Sequence, residues 1–243
     1  MMQSSLSLIK NEFFFQVKRY FKKEPFNYDN QVQNIVKKIE KEGFAVFPNF
    51  YNTNECENLR NEIDTLIAQR ENDSNLWSDS VCSDKRCHSA EEDSALIALF
   101  FNNDFLVTVA SNYAKLKMEC SNTLASRIKY KKGNIGSGQG WHRDSNNFQF
   151  KAMVYLSDVG ENDGGMQYAS VNDNVLIREY TNPPGNHSLE QQIAGASSIE
   201  GFKIESMTGK KGTFFIFDNC IYHRASHTAD KNRDALLLQV APA

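Results

Sequence analysis

Two short words in this sequence hold residue types able to bind a metal ion: WHRDS at residues 141–145 and FDNCIYHRASH at residues 217–227. On an extended chain residues i and i+2 point the same way, so His142 and Asp144 can present an imidazole and a carboxylate to one point while Arg143 faces away. His223, about 80 residues later, would arrive from another strand, which a closed or two-layered β fold can bring alongside the first. Two histidines and one carboxylate on one face leave three positions of an octahedral ion open, an arrangement suited to Fe(II) that must also bind O2 and a second ligand. His-x-Asp alone is a weak signal, because the same tripeptide occurs in ordinary surface loops. Arg233 strengthens it. It lies ten residues beyond His223, at the start of an apolar strand, and reads either as a solvent-facing strand-edge arginine or as a bidentate clamp on the distal carboxylate of a small dicarboxylate.

Other residues have weaker claims. Gln139 and Trp141 flank the first pair, and Gln139 is a candidate substrate contact, whereas a tryptophan beside a strand end is usually packing. Arg86 lies in a polar stretch and reads equally as a surface charge or as a partner for an anionic substrate. Cys82, Cys87 and His88 lack the second cysteine pair of a zinc site and read as free thiols and a lone histidine. Lys129 and Tyr130 precede the first metal word, and only one parity of that strand can face a cavity.

Strands must position these residues, and the chain order supplies them. Residues 30–42 carry Val32, Ile35, Val36 and Ile39 at helical spacing with Gly43 as the stop, followed by a short strand over 44–50. Thr53 or Asn54 can cap a helix carrying Cys56, Leu59, Ile63, Leu66 and Ile67. Residues 72–93 are polar without a period and read as a long loop; residues 94–118 are helical in pattern. Six strand-like runs follow, at 124–131, 148–156, 166–170, 202–207, 212–217 and 235–240, separated by Gly, Asn, Asp and Pro clusters. At least six short strands imply a sandwich or barrel. Residues 172–198, with Pro183, Pro184 and Gly185, read as an excursion from its rim. The expected organisation is one domain over 1–243, mainly β with flanking helices: a mostly helical flank to residue 120 and a β core from 121.

The bulk properties exclude several classes. A formal net charge of -3 gives no general attraction to nucleic acid or anionic lipid. Five scattered cysteines, Cys56, Cys82, Cys87, Cys120 and Cys220, do not form a disulfide framework and suit a reducing compartment. The first ten residues lack an export signal, and the apolar run at 95–101 is too short to span a bilayer. The expectation is a cytoplasmic protein, monomer or homodimer, that binds neither membrane nor nucleic acid.

With these words in place, the chain resembles the phytanoyl-CoA dioxygenase family of Fe(II)- and 2-oxoglutarate-dependent oxygenases. The resemblance rests on EKEGFAVFPNFYNTNECENLRNEID near the start, then QGWHRDS, DGGMQYASVND, and GTFFIFDNCIYHRASH followed by Arg233. It departs from the family where YASVND follows the Gly-Gly turn and at His227. The resemblance implies a double-stranded β-helix (jelly-roll, cupin-like) core, His142, Asp144 and His223 as iron ligands, Arg233 as the 2-oxoglutarate anchor, and O2 as a further co-substrate. It implies hydroxylation of a small-molecule metabolite with release of succinate and CO2. Asp144 fills the position that related halogenases leave open for chloride. Desaturation or oxidative cyclisation by the same site, a non-catalytic binding module on the same barrel, and a metal-dependent hydrolase or isomerase are the alternatives.

Overall fold

A computed structural model describes residues 29–129, 131, 150–171, 175–176, 202–219, 221, 223–225 and 231–243. The first helix, α1 (Asn30–Glu42), buries the four apolar residues its spacing selects, Val32, Ile35, Val36 and Ile39. Asp29 caps it by accepting from the Gln31 amide, and Gly43 closes it at φ 83°, a left-handed conformation that a Cβ would disfavour. Strand β1 (Phe44–Phe47) is shorter than the sequence suggests, because the chain turns at Asn49 with φ 58°. The cap of helix α2 (Thr53–Gln69) is Asn52, one residue before the first of the two expected caps. The Asn52 side chain accepts from the Glu55 amide at 3.0 Å while the Glu55 carboxylate accepts from the Asn52 amide at 2.7 Å. That reciprocal pair satisfies two amides the helix cannot.

The stretch read as a long loop is in part a hairpin. Strands β2 (Leu76–Ser78) and β3 (Asp84–Cys87) pair with Leu76 opposite Cys87, and β3 continues onto β4 (Met118–Ile128). Its sequence, DKRC, shows no apolar alternation because the group it buries at one end is a carboxylate, Asp84. Three helices follow: α3 (Ala90–Asp93), α4 (Ala95–Phe101) and α5 (Asp104–Ala114). Residues Ala95–Ala114 have the length and apolarity of a membrane span, but they are interrupted at Asn102 and Asn103. Their apolarity has a core role, since Ile97, Phe100, Leu106, Val109 and Tyr113 are buried in one cluster.

The remaining strands are β5 (Phe150–Tyr155), β6 (Met166–Val171), β7 (Val175–Leu176), β8 (Phe202–Met207), β9 (Phe214–Asp218), β10 (His223–Ala225) and β11 (Arg233–Pro242). Seven strands form an antiparallel sheet in the order β1-β9-β5-β11-β4-β3-β2. In the second sheet β6 pairs with β8 along its length and with β10 and β7 elsewhere. Two antiparallel sheets wound in this order, with helices outside, form the jelly-roll core of a double-stranded β-helix. Of the 172–198 excursion only β7 lies within the described residues.

The large sheet has two faces, and the strand period of two assigns each residue to one of them. Ala152, Val154, Phe214, Ile216, Leu236 and Leu238 join the helices in one cluster. Their alternates Met153, Tyr155, Phe215, Phe217 and Ala235 face the other sheet and cluster with Val159, Met166, Tyr168, Met207 and Ile221. The same rule separates two adjacent charges on β11: Asp234 on the helix side, Arg233 in the barrel interior. Asp234, fully buried, accepts from Arg60 Nε at 2.8 Å and from Arg127 Nε at 2.6 Å, tying α2 and β4 to the central strand. Removing that carboxylate leaves two arginines facing each other at the helix layer. Asp234→Ala is therefore expected to lower the unfolding free energy by about 3 kcal/mol, read from the midpoint of urea denaturation.

Candidate active site

Among the described residues the interior cluster is mainly apolar, so each polar group beside it is informative. His223 opens β10 opposite Tyr168 and is 5 % exposed. Its Nδ1 lies 2.9 Å from the carbonyl oxygen of Ile221. A carbonyl can only accept, so the proton sits on Nδ1 and, in the neutral ring, the Nε2 lone pair is the donor a metal would use. The Phe217 ring, 6.5 Å from the imidazole between centroids, supplies an apolar wall beside it.

Arg233 is the second interior group. It is 6 % exposed, contrary to the surface alternative. It stands opposite Ile128 of β4, and Asp84 of β3 stands opposite the same residue on the far side, so the three side chains lie in a row on one face. One guanidinium nitrogen, Nη1, donates to the carbonyl of Gly164; Nε is buried with no hydrogen-bond partner. Among the described residues no carboxylate lies within ion-pair distance of it. Burial pushes the Arg233 guanidinium below its ordinary pKa and the charge of Arg86 adds to this, while Tyr155 and Asp84 pull the other way. An arginine stays protonated under such pressure, so the barrel holds a positive charge with an unused donor.

The turn that Arg233 grips is the Gly-Gly word of the sequence. Gly164 has φ 77°, a left-handed conformation that side chains rarely adopt. At Gly165 a Cβ would stand 2.7 Å from the Met207 carbonyl oxygen and 3.6 Å from the Tyr155 hydroxyl, so only glycine lets the turn approach β8 this closely.

Of the residues singled out in the sequence, His223 and Arg233 face the interior together. His142, Asp144 and Gln139 lie outside the described residues, as do Trp141 and Tyr130. Among the described residues no three His, Cys, Asp or Glu side chains converge, as expected when only one of the three proposed ligands is among them. Arg86 is not an idle cation: its guanidinium pairs with Asp84 at 2.7 Å and lies 5.1 Å over the Trp77 ring. Cys87 is buried in the core and Cys82 is exposed.

Sequence reasoning missed Asp84, Tyr155 and Asn219. Asn219 follows β9, is fully buried, and leaves both its amide nitrogen and its oxygen without a partner. Unmet polar atoms of this kind cost about 1–3 kcal/mol each and mark places where a ligand or water is accommodated. No spacing rule points to it; only its place between two interior residues, Phe217 and Ile221, does.

The fold is that of solved Fe- and 2-oxoglutarate-dependent enzymes. EctD from S. alaskensis, solved with 2-oxoglutarate and 5-hydroxyectoine, superposes with a TM-score of 0.71 at 15 % identity, covering 90 % of this chain and 81 % of that one. The epimerase SnoN, solved with Fe3+, alpha ketoglutarate and nogalamycin RO, gives 0.69 at 14 % identity over 88 % and 84 %. HygX from Streptomyces hygroscopicus, with nickel, 2-oxoglutarate and hygromycin B, gives 0.62 at 15 % over 87 % of each chain. Curated protein sequences give no match. Residues 39–235 match the phytanoyl-CoA dioxygenase (PhyH) family, and the chain belongs to it. By family it is an Fe(II)- and 2-oxoglutarate-dependent enzyme.

The tight turn gives a direct test. Gly165→Ala forces the turn away from β8 and is expected to cost about 1–3 kcal/mol, visible as a lower thermal midpoint; an unchanged midpoint would show that the turn has room to spare.

Proposed function

We propose that this protein is a dioxygenase that hydroxylates an unactivated C–H bond of a small-molecule metabolite, with 2-oxoglutarate converted to succinate and CO2. His142, Asp144 and His223 hold the iron, and Arg233 binds the distal carboxylate of 2-oxoglutarate. The observation that carries this reading is Arg233: a buried guanidinium with an unpartnered Nε and, among the described residues, no carboxylate against it. A dicarboxylate would satisfy both the charge and the donor. The tautomer of His223 also fits, because its Nδ1 bond to Ile221 turns the other nitrogen into the ligand.

Bound iron and co-substrate would supply O2 activation coupled to decarboxylation; the chain's own side chains do the rest. Arg233 fixes one end of the dicarboxylate so that the other end meets the metal in a single orientation. Phe217, Phe215, Met153 and Ile221 line the interior with apolar groups that keep solvent from the oxidant. Asn219 offers a donor and an acceptor to a polar group of the prime substrate. A small-molecule substrate agrees with the ligands of the similar structures: 5-hydroxyectoine, hygromycin B and nogalamycin RO are named with them.

Succinate released on addition of candidate metabolites, with Fe(II), 2-oxoglutarate and air, is the expected signal, and it should vanish under anaerobic conditions. A hydrolase or isomerase would keep its activity without O2, and a binding module would make no succinate with any metabolite. His223→Ala is expected to abolish Fe(II) binding in equilibrium dialysis. Arg233→Ala should keep the iron and raise the KM for 2-oxoglutarate about 100-fold, the scale of losing a charge-assisted bidentate contact; an unaltered KM would remove Arg233 from the site.

A further inference from the structure

We propose that Tyr155 is a positioning residue for 2-oxoglutarate: its hydroxyl fixes the turn that holds Arg233 and so sets where the guanidinium points. The inference rests on the reading of Arg233 as the co-substrate anchor.

Tyr155 ends β5 and is fully buried. Its hydroxyl donates to the carbonyl oxygen of Met207 at 3.0 Å and accepts from the amide of Met166 at 3.2 Å. Met166 begins β6 and Met207 ends β8, and the two are opposite each other in that ladder. One oxygen therefore joins the large sheet to the end of the small one. The Gly164–Met166 turn is held at both ends, its first carbonyl by Arg233 Nη1 and its last amide by Tyr155. The charge of Arg233 opposes the upward push that burial exerts on the Tyr155 phenol. A phenol has one proton to give and two lone pairs. The proton goes to Met207, and one lone pair takes the Met166 amide.

A clamp of this kind tolerates about 0.5 Å or 10–20° of error. Without the hydroxyl, the ring keeps its packing on Phe215, 4.8 Å away between centroids, but the turn loses its tie to β5. Arg233 then follows a turn that is free to shift. The expected signature is selective: weaker 2-oxoglutarate binding with metal affinity intact. General loosening of the fold would lower stability without that selectivity.

The experiment is calorimetric titration of 2-oxoglutarate into nickel-loaded protein, without turnover, for Tyr155→Phe, Arg233→Ala and Tyr113→Phe. Tyr113→Phe removes a buried phenol on the opposite face, where Tyr113 donates to Asp218 at 2.6 Å, and serves as the stability control. Tyr155→Phe is expected to weaken 2-oxoglutarate about 10-fold with nickel affinity unchanged, while Tyr113→Phe leaves both within about twofold. Unchanged 2-oxoglutarate affinity in Tyr155→Phe alongside a large loss in Arg233→Ala overturns the role of Tyr155 and leaves that of Arg233 standing. No loss in Arg233→Ala overturns the anchor itself. An equal loss in Tyr113→Phe shows the effect to be general and also overturns the proposal. If Tyr155→Phe does not fold, Gly165→Ala is titrated instead. It displaces the turn from the hydroxyl without deleting a polar group, and unchanged affinity there overturns the inference.

Discussion

A buried guanidinium with, among the described residues, no carboxylate in contact is the constraint around which the interior is organised. Moving such a charge out of water is expensive unless other groups take over its solvation. Here a backbone carbonyl takes over part of that task, and Asp84 contributes from one strand further away. The arrangement is thus less stable than a fully paired one, and in the proposed reading of Arg233 the deficit is what a dicarboxylate recovers on binding. Asp84 itself is divided between Arg86 and the field of Arg233, which keeps a negative charge near the anchor without neutralising it.

The helix layer shows the contrasting solution. Asp234, next in sequence to Arg233, is met by two arginines at hydrogen-bonding distance. Both residues sit on β11, and only the pleat separates them. One side of the strand is a closed ion network that anchors α2; the other is left incomplete. A shift of one residue in the register of β11 would exchange the two and destroy both.

Much of this was legible in the sequence. The helical spacing of Val32 to Ile39 with Gly43 gives α1 to the residue, and two of the motif residues, His223 and Arg233, open strands β10 and β11. The hairpin of β2 and β3 was not legible, because its alternation is carried by Asp84 and Arg86, which form an ion pair, rather than by apolar residues. Strand β4 starts at Met118, six residues before the predicted run, because its first half packs under helices and alternates polar and buried residues weakly. Tyr155 and Asn219 were invisible for a different reason. A tyrosine in a strand and an asparagine in a turn are ordinary at the level of composition, and only the three-dimensional positions of Met166, Met207 and Phe217 give them meaning.

The place of β11 in the large sheet bears on how the chain reaches its native state. Strands β4 and β5 follow one another in sequence, yet they are not neighbours; β11 lies between them. Until that last strand has left the ribosome, the two halves of the sheet expose facing edges with nothing to join them. Such edges invite pairing with other chains, and contacts this distant in sequence form slowly. Nascent or truncated chains lacking β11 would therefore be held by chaperones rather than settle into a partial barrel.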